Sequence, residues 1–123
     1  MAANHNFKID QGSDTSIIFV LKNKDTPLNL TGYSAAMQLR YAAYSEEALD
    51  TLTSDNDRLA IEPELGKVTA KFPNSVTEGF KPGSMVYDLE LTSGDGEVTR
   101  IIEGRVNVIA EVTRVKCKHS TRH

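Results

Sequence analysis

The chain has 123 residues, 39% of them hydrophobic and 25% charged, with a net charge of −3. These values suit one soluble domain with a single modest core, and they exclude a membrane span, since no window nears ~20 apolar residues. The single cysteine, Cys117, excludes an intrachain disulfide and a multi-cysteine metal cage, and the polar start Met1–Lys8 lacks the apolar core of a signal peptide, which points to synthesis in the cytosol.

Charge is unevenly placed. Arg114, Lys116, Lys118 and Arg122 give the last ten residues +4, so the rest of the chain carries −7. An acidic body argues against a nucleic-acid surface, which needs a basic face. Residues 1–114 are read as a single β-sandwich domain with an N-terminal arm, and 115–123 as a basic tail expected to be flexible.

In chain order, Phe7 and Ile9 alternate into a first strand that ends at the turn Asp10–Asp14. Thr15–Leu21 is β-branched and apolar throughout, which predicts a strand buried on both faces. Asn23–Pro27 is a turn, because Pro27 cannot occupy a central ladder position. After Thr31-Gly32, the segment Tyr33–Tyr41 predicts a strand with Tyr33, Ala35, Met37, Leu39 and Tyr41 on one side. Ala42–Asp57 breaks the pattern and is read as a long loop, with a helical turn over Ser45–Leu49 and a polar run after it. Arg58–Glu62 and Lys67–Phe72 form a hairpin around Pro63–Gly66, and Asn74–Phe80 a further helical turn. In the strand Ser84–Thr92, Met85, Tyr87, Leu89 and Leu91 point to a core while Val86, Asp88, Glu90 and Thr92 face water. The turn Ser93–Gly96 supplies glycines on both sides of Asp95, and Glu97–Thr113 returns. The predicted fold is all-β: an immunoglobulin-like antiparallel β-sandwich of about seven strands.

The inventory for catalysis is thin. His5, His119 and His123 all lie near the chain ends, so no core histidine is present to act as a general base. Cys117 stands between Lys116 and Lys118, which favour its thiolate, yet the tail offers it neither base nor oxyanion site. Cys117, His119 and His123 lack a second shell for a metal. Asp55-Asn56-Asp57 begins like a calcium loop without the later glycine and glutamate. Asp88 and Glu90 are read as cross-strand ion-pair partners of Arg100 or Arg105. No catalytic residue, cofactor or metal ligand is assigned, and the chain is expected not to be an enzyme.

One ordered set of motifs has a counterpart elsewhere. Asp10-Gln11-Gly12-Ser13-Asp14 leads into an apolar strand, followed by Leu28-Asn29-Leu30-Thr31-Gly32-Tyr33 and a strand ending in Arg40. Then come Tyr87-Asp88-Leu89-Glu90-Leu91, Glu103-Gly104-Arg105-Val106 and Glu111-Val112-Thr113-Arg114. Over residues 7–114 this order resembles small structural proteins of tailed bacteriophages, and the immunoglobulin-like N-terminal domain of phage baseplate upper proteins. Baseplate upper proteins continue into a helical or fibre-attaching region that this chain does not contain.

The resemblance implies a non-enzymatic virion subunit of the neck or collar, tail or baseplate, made in the host cytoplasm. Its partners are then other phage structural proteins and copies of itself in a symmetric homo-oligomer, with no nucleic acid and no membrane. Contacts are expected from the N-terminal arm, the Ala42–Asp57 segment and the basic tail. Tyr41 and Tyr44 are the aromatic anchors of the partner-binding set, with Glu46, Leu49, Asp55 and Asp57. A core position at the strand end is the alternative for Tyr41. Removal of residues 43–56 is expected to abolish assembly and leave folding nearly intact. The alternative function is a carbohydrate- or cell-surface-binding β-sandwich module.

Overall fold

The computed structural model describes residues 3–112; the basic tail 115–123, with Cys117, His119 and His123, lies outside them. Eleven strands are formed in chain order: β1 (Ala3–Asn4), β2 (Phe7–Asp10), β3 (Thr15–Val20), β4 (Lys22–Asn23), β5 (Thr26–Pro27), β6 (Ser34–Arg40), β7 (Asp50–Thr53), β8 (Leu59–Glu62), β9 (Lys67–Phe72), β10 (Gly83–Thr92) and β11 (Val98–Ile109). Among the described residues the one α-helix is the short α1, Asn74–Thr77, where a helical turn is predicted.

Two sheets face each other. The larger runs β11–β10–β6–β7, with β1 and β2 both parallel to β11 at its outer edge, and the smaller runs β3–β9–β8. This is the immunoglobulin-like antiparallel sandwich: β6, β10 and β11 are the C, F and G strands, and β3, β9 and β8 are B, E and D. Beyond the predicted set are the two-residue strands β1, β4 and β5, the last two around the Asn23–Pro27 turn, and β7, which pairs antiparallel with β6 inside the segment read as a loop.

The longest hairpin follows the predicted alternation. Met85, Tyr87, Leu89 and Leu91 are all buried. The turn closes through Gly96 N–H to Ser93 O (2.9 Å) and Ser93 N–H to Glu97 O (2.9 Å). Ile101 is an extra residue on β11, because Leu89 faces Ile102 and Glu90 faces Arg100; such a bulge re-aims the side chains after it.

An aromatic cluster ties the sheets together. Phe7 lies 5.0 Å from Tyr87 and 6.1 Å from Phe72, and Phe19 lies 6.2 Å from Tyr87, centroid to centroid. In antibody domains a disulfide joins the B and F strands. Here, with one cysteine in the chain, Phe19 on β3 and Tyr87 on β10 span the same pair.

The N-terminal segment is part of the sheet. His5 N–H donates to Glu103 O (3.0 Å), and Asn6 Oδ1 accepts from Arg105 N–H (2.9 Å). Between them the chain kinks against Gly104, where any Cβ would overlap the His5 carbonyl.

Several expectations are corrected. Thr15–Leu21 is buried on one face only: Phe19 and Leu21 point inward, while Ile18 and Val20 are 57% and 49% exposed. The small sheet has a single covered face, so its other face meets water. Tyr33 and Tyr41 lie just beyond the ends of β6 and are exposed, where the strand's alternation no longer binds them. Ser45–Leu49 forms no helical turn; Arg40 holds it in another shape. Leu52 at the centre of β7 is fully buried, so removal of residues 43–56 is now expected to cost folding.

Candidate interaction surfaces

The turn after β6 is built by its own polar groups. Ala42 O and Ser45 N–H bond at 3.0 Å, and Ser45 Oγ accepts from Ala42 N–H (3.2 Å). The Arg40 guanidinium donates to Ser45 O (2.8 Å) and to Gln38 Oε1 (2.6 Å). Leu49 N–H then reaches Leu39 O (2.6 Å), which carries the chain into β7. Inside this clamp Tyr44 is left 89% exposed and Tyr41 45% exposed. Tyr41 is therefore a surface residue rather than a core one.

The remaining predicted contact residues separate. Glu46 is exposed in the same turn, but Leu49 packs against the core. Asp55 and Asp57 are exposed at the opposite end of β7, in a turn made by Thr53 and Asn56. Asp57 takes a positive φ of 65° there. Tyr41, Tyr44 and Glu46 thus form one patch, and Asp55 and Asp57 another.

The outer face of the larger sheet is a shallow concavity of about 700 Å³, lined by Gln38, Arg40, Asp88, Glu90, Arg100 and Arg105 among others. Arg100 is engaged with two of the carboxylates. Arg100 Nε lies 3.4 Å from Asp88 Oδ2, the cross-strand pairing expected for Asp88, and its Nη1 lies 3.2 Å from Glu103 Oε1. Exposed pairs of this kind contribute little stability; they leave the face polar and near charge balance. Among the described residues no group of three or more His, Cys, Asp or Glu side chains is placed to hold a metal. Among the same residues no helix is long and apolar enough to cross a membrane.

No family model matches the chain, and no curated protein matches it. Among solved structures it is similar to CopC from Methylosinus trichosporium OB3b, at 9% identity and a TM-score of 0.48. The likeness covers 91% of this chain and 87% of that one. At that level nothing about ligands or partners transfers.

Burial pushes the Tyr87 phenol up, and its hydroxyl donates to His5 O at 2.5 Å. The folded chain therefore keeps this proton above pH ~10, where the tyrosine of the unfolded chain ionises. The resulting stability is fully present below pH ~10 and is lost as pH rises beyond it. Tyr87→Phe should cost about 1 kcal/mol at neutral pH through the unpaired His5 carbonyl. It should also flatten the alkaline decline. Urea titrations from about pH 8 to 11 test this, and equal slopes for the two proteins would refute it.

Proposed function

We propose that the chain is a non-enzymatic structural subunit of a tailed-phage particle, at the neck or collar, tail or baseplate, acting by protein–protein assembly. The observation that carries this reading is the Arg40-clamped turn holding Tyr44 almost wholly in water. Folding of the chain gives no reason to order an exposed aromatic there. A pre-ordered tyrosine loses little entropy on docking and is a common interface anchor.

The polar clusters support the same reading. Asp88, Arg100 and Glu103 are paired with one another, and Arg40 is held by Gln38 and the Ser45 carbonyl, which ties up most of the charges on the concave face. It is a poor sugar platform as well: of the aromatics, only Tyr87 lines it, and that ring is buried toward the core. The carbohydrate-binding alternative is therefore the weaker of the two.

The test has two parts. Mass spectrometry of purified particles of the encoding phage should find the chain in stoichiometric amount; its absence refutes the virion reading. Tyr41→Ala/Tyr44→Ala should then lower incorporation at least tenfold while changing stability by no more than about 0.5 kcal/mol, as for surface substitutions. Normal incorporation of that variant would remove the turn from the interface.

A further inference from the structure

The small sheet has an unblunted edge. In immunoglobulin-like sandwiches strand A normally lies beside B, but here the N-terminal segment runs along β11 instead. The outer edge of β3 is therefore left without a neighbouring strand among the described residues.

Which backbone groups face that edge follows from two bonds. Leu21 N–H donates to Gly66 O (2.8 Å), toward β9, and Lys71, the residue opposite Ser16, bonds away from β3 to Arg58 O (2.9 Å). Odd-numbered residues of β3 thus serve β9, and Ser16, Ile18 and Val20 turn their N–H and C=O groups outward. The hairpin β4–β5 does not cover them. Leu28 N–H meets Leu21 O (2.9 Å), on the β9 side.

Other edges are blunted in familiar ways. β8 ends at Pro63, β7 has four residues, and the β1–β2 edge is broken at His5 and Asn6. The sequence of β3, Thr-Ser-Ile-Ile-Phe-Val, has six residues with no charge and no proline, and two large apolar side chains stand exposed on its outer face.

The geometry points to β3 as the pairing strand for a second copy of this chain, antiparallel about a two-fold axis through Ile18. Core-facing residues must oppose core-facing ones, so residue numbers across the axis add to an even total. The register Ile18–Ile18 sets Ser16 opposite Val20 and uses all three outward residues of each copy. It also sets Asp14 opposite Lys22 at both ends, an attractive pair, where a slip to an axis at Ile17 places Asp14 against Val20 and a slip to an axis at Phe19 places Lys22 against Ser16. Like charges meet nowhere along the seam. The result is one continuous sheet, β8–β9–β3–β3–β9–β8, whose interface is isologous and closes at two copies. This deepens the assembly reading above by naming the surface through which copies join each other, distinct from the Tyr44 turn.

Site-directed disulfide trapping in a Cys117→Ser background tests it. Residues facing each other in a hydrogen-bonded pair have Cα atoms about 5.5 Å apart, within disulfide reach. Ile18→Cys should therefore give a covalent dimer under mild oxidation at least tenfold faster than Ser16→Cys, whose copies lie roughly 13 Å apart in this register. Light scattering of the wild-type chain should show twice the 13.5 kDa chain mass, and Ile18→Lys, which sets like charges on the axis, should return it to monomer with its melting curve kept.

Wild-type monomer at about 0.1 mM, or equal cross-linking of the two cysteine variants, overturns the pairing. So does an edge that proves to take a strand only from a different protein. Ile18→Lys that still enters particles would dissociate this inference from the virion reading, which then stands on the turn alone. Absence of the chain from particles alongside an intact dimer would do the reverse.

Discussion

Excision of residues 43–56 is expected to unfold the domain, and Leu52→Ala alone to cost about 2–5 kcal/mol. Leu52 sits at the centre of β7, fully buried, with Met37 opposite it on β6. Truncating it removes core contacts and leaves a cavity at a fully buried site. Excision removes the strand itself, together with Asp50. Set against the 5–15 kcal/mol that holds a domain together, the combined loss leaves little margin. Replacing residues 42–47 by Gly-Ser residues is the contrasting case, because that turn packs nothing large into the core, and it should shift the urea midpoint only slightly. Circular dichroism and urea unfolding of the three variants decide the matter. A folded excision variant would mean that β7 is an ornament on the sandwich rather than a part of it.

The strands that announced themselves in the sequence are those whose two faces meet different media. β10 alternates Met85, Tyr87, Leu89 and Leu91 against polar neighbours because one side meets the opposing sheet and the other water. β3 misled because Ile and Val on both faces signal strand propensity without saying how many sheets cover the strand. That depends on which strand the N-terminal segment joins, a long-range choice set by Gly104 and the His5 carbonyl. β7 carried only a faint signal, one leucine between threonines in Asp50-Thr51-Leu52-Thr53, and the polar run Ser54–Asp57 beside it dominated the reading. The exposure of Tyr44 was legible from its place in an irregular segment. Leu49 and Leu52 lie in the same segment and went inward, and spacing alone did not separate them from it.

The motifs that carried the resemblance prove to be fastenings. Gln11 joins Phe80 O (2.9 Å) to Glu111 N–H (2.9 Å), and Asp14 accepts the Asn74 N–H (2.7 Å) at the start of α1. Ser13 O accepts from buried Thr77 Oγ1 (2.9 Å). Asn29 Oδ1 takes both the N–H and the hydroxyl of Thr31, a local turn ahead of β6. Gly104 admits the N-terminal edge. Residues of this kind specify a sandwich and its joints, and different partners can be served by changing what lies between them. The surfaces on which function is proposed, the Tyr44 turn and the β3 edge, fall largely outside those motifs. A sandwich jointed in this way is thus compatible with distinct attachments.

The second large effect is expected at Arg58, which braces the two sheets at their shared margin. Its guanidinium grips Asp50 of β7 with two bonds (3.1 and 2.6 Å), while Nε donates to Lys71 O of β9 (2.8 Å) and the group lies 5.8 Å from the Phe72 ring centroid. The side chains are only 18% and 10% exposed, so water does little to replace a lost partner. Arg58→Met should cost about 3 kcal/mol, the range for orphaning one member of a mostly buried pair, and lower Tm by roughly 10 °C. Most of that cost belongs to the abandoned carboxylate rather than to the attraction itself. The double variant Arg58→Met/Asp50→Leu should therefore recover most of the stability, whereas Arg58→Lys, which loses the paired geometry and the Nε bond, should recover less. A single-variant cost under about 1 kcal/mol would place the pair with ordinary surface bridges. Failure of the double variant to recover would instead make the ion pair, and not its desolvation, the source of the brace.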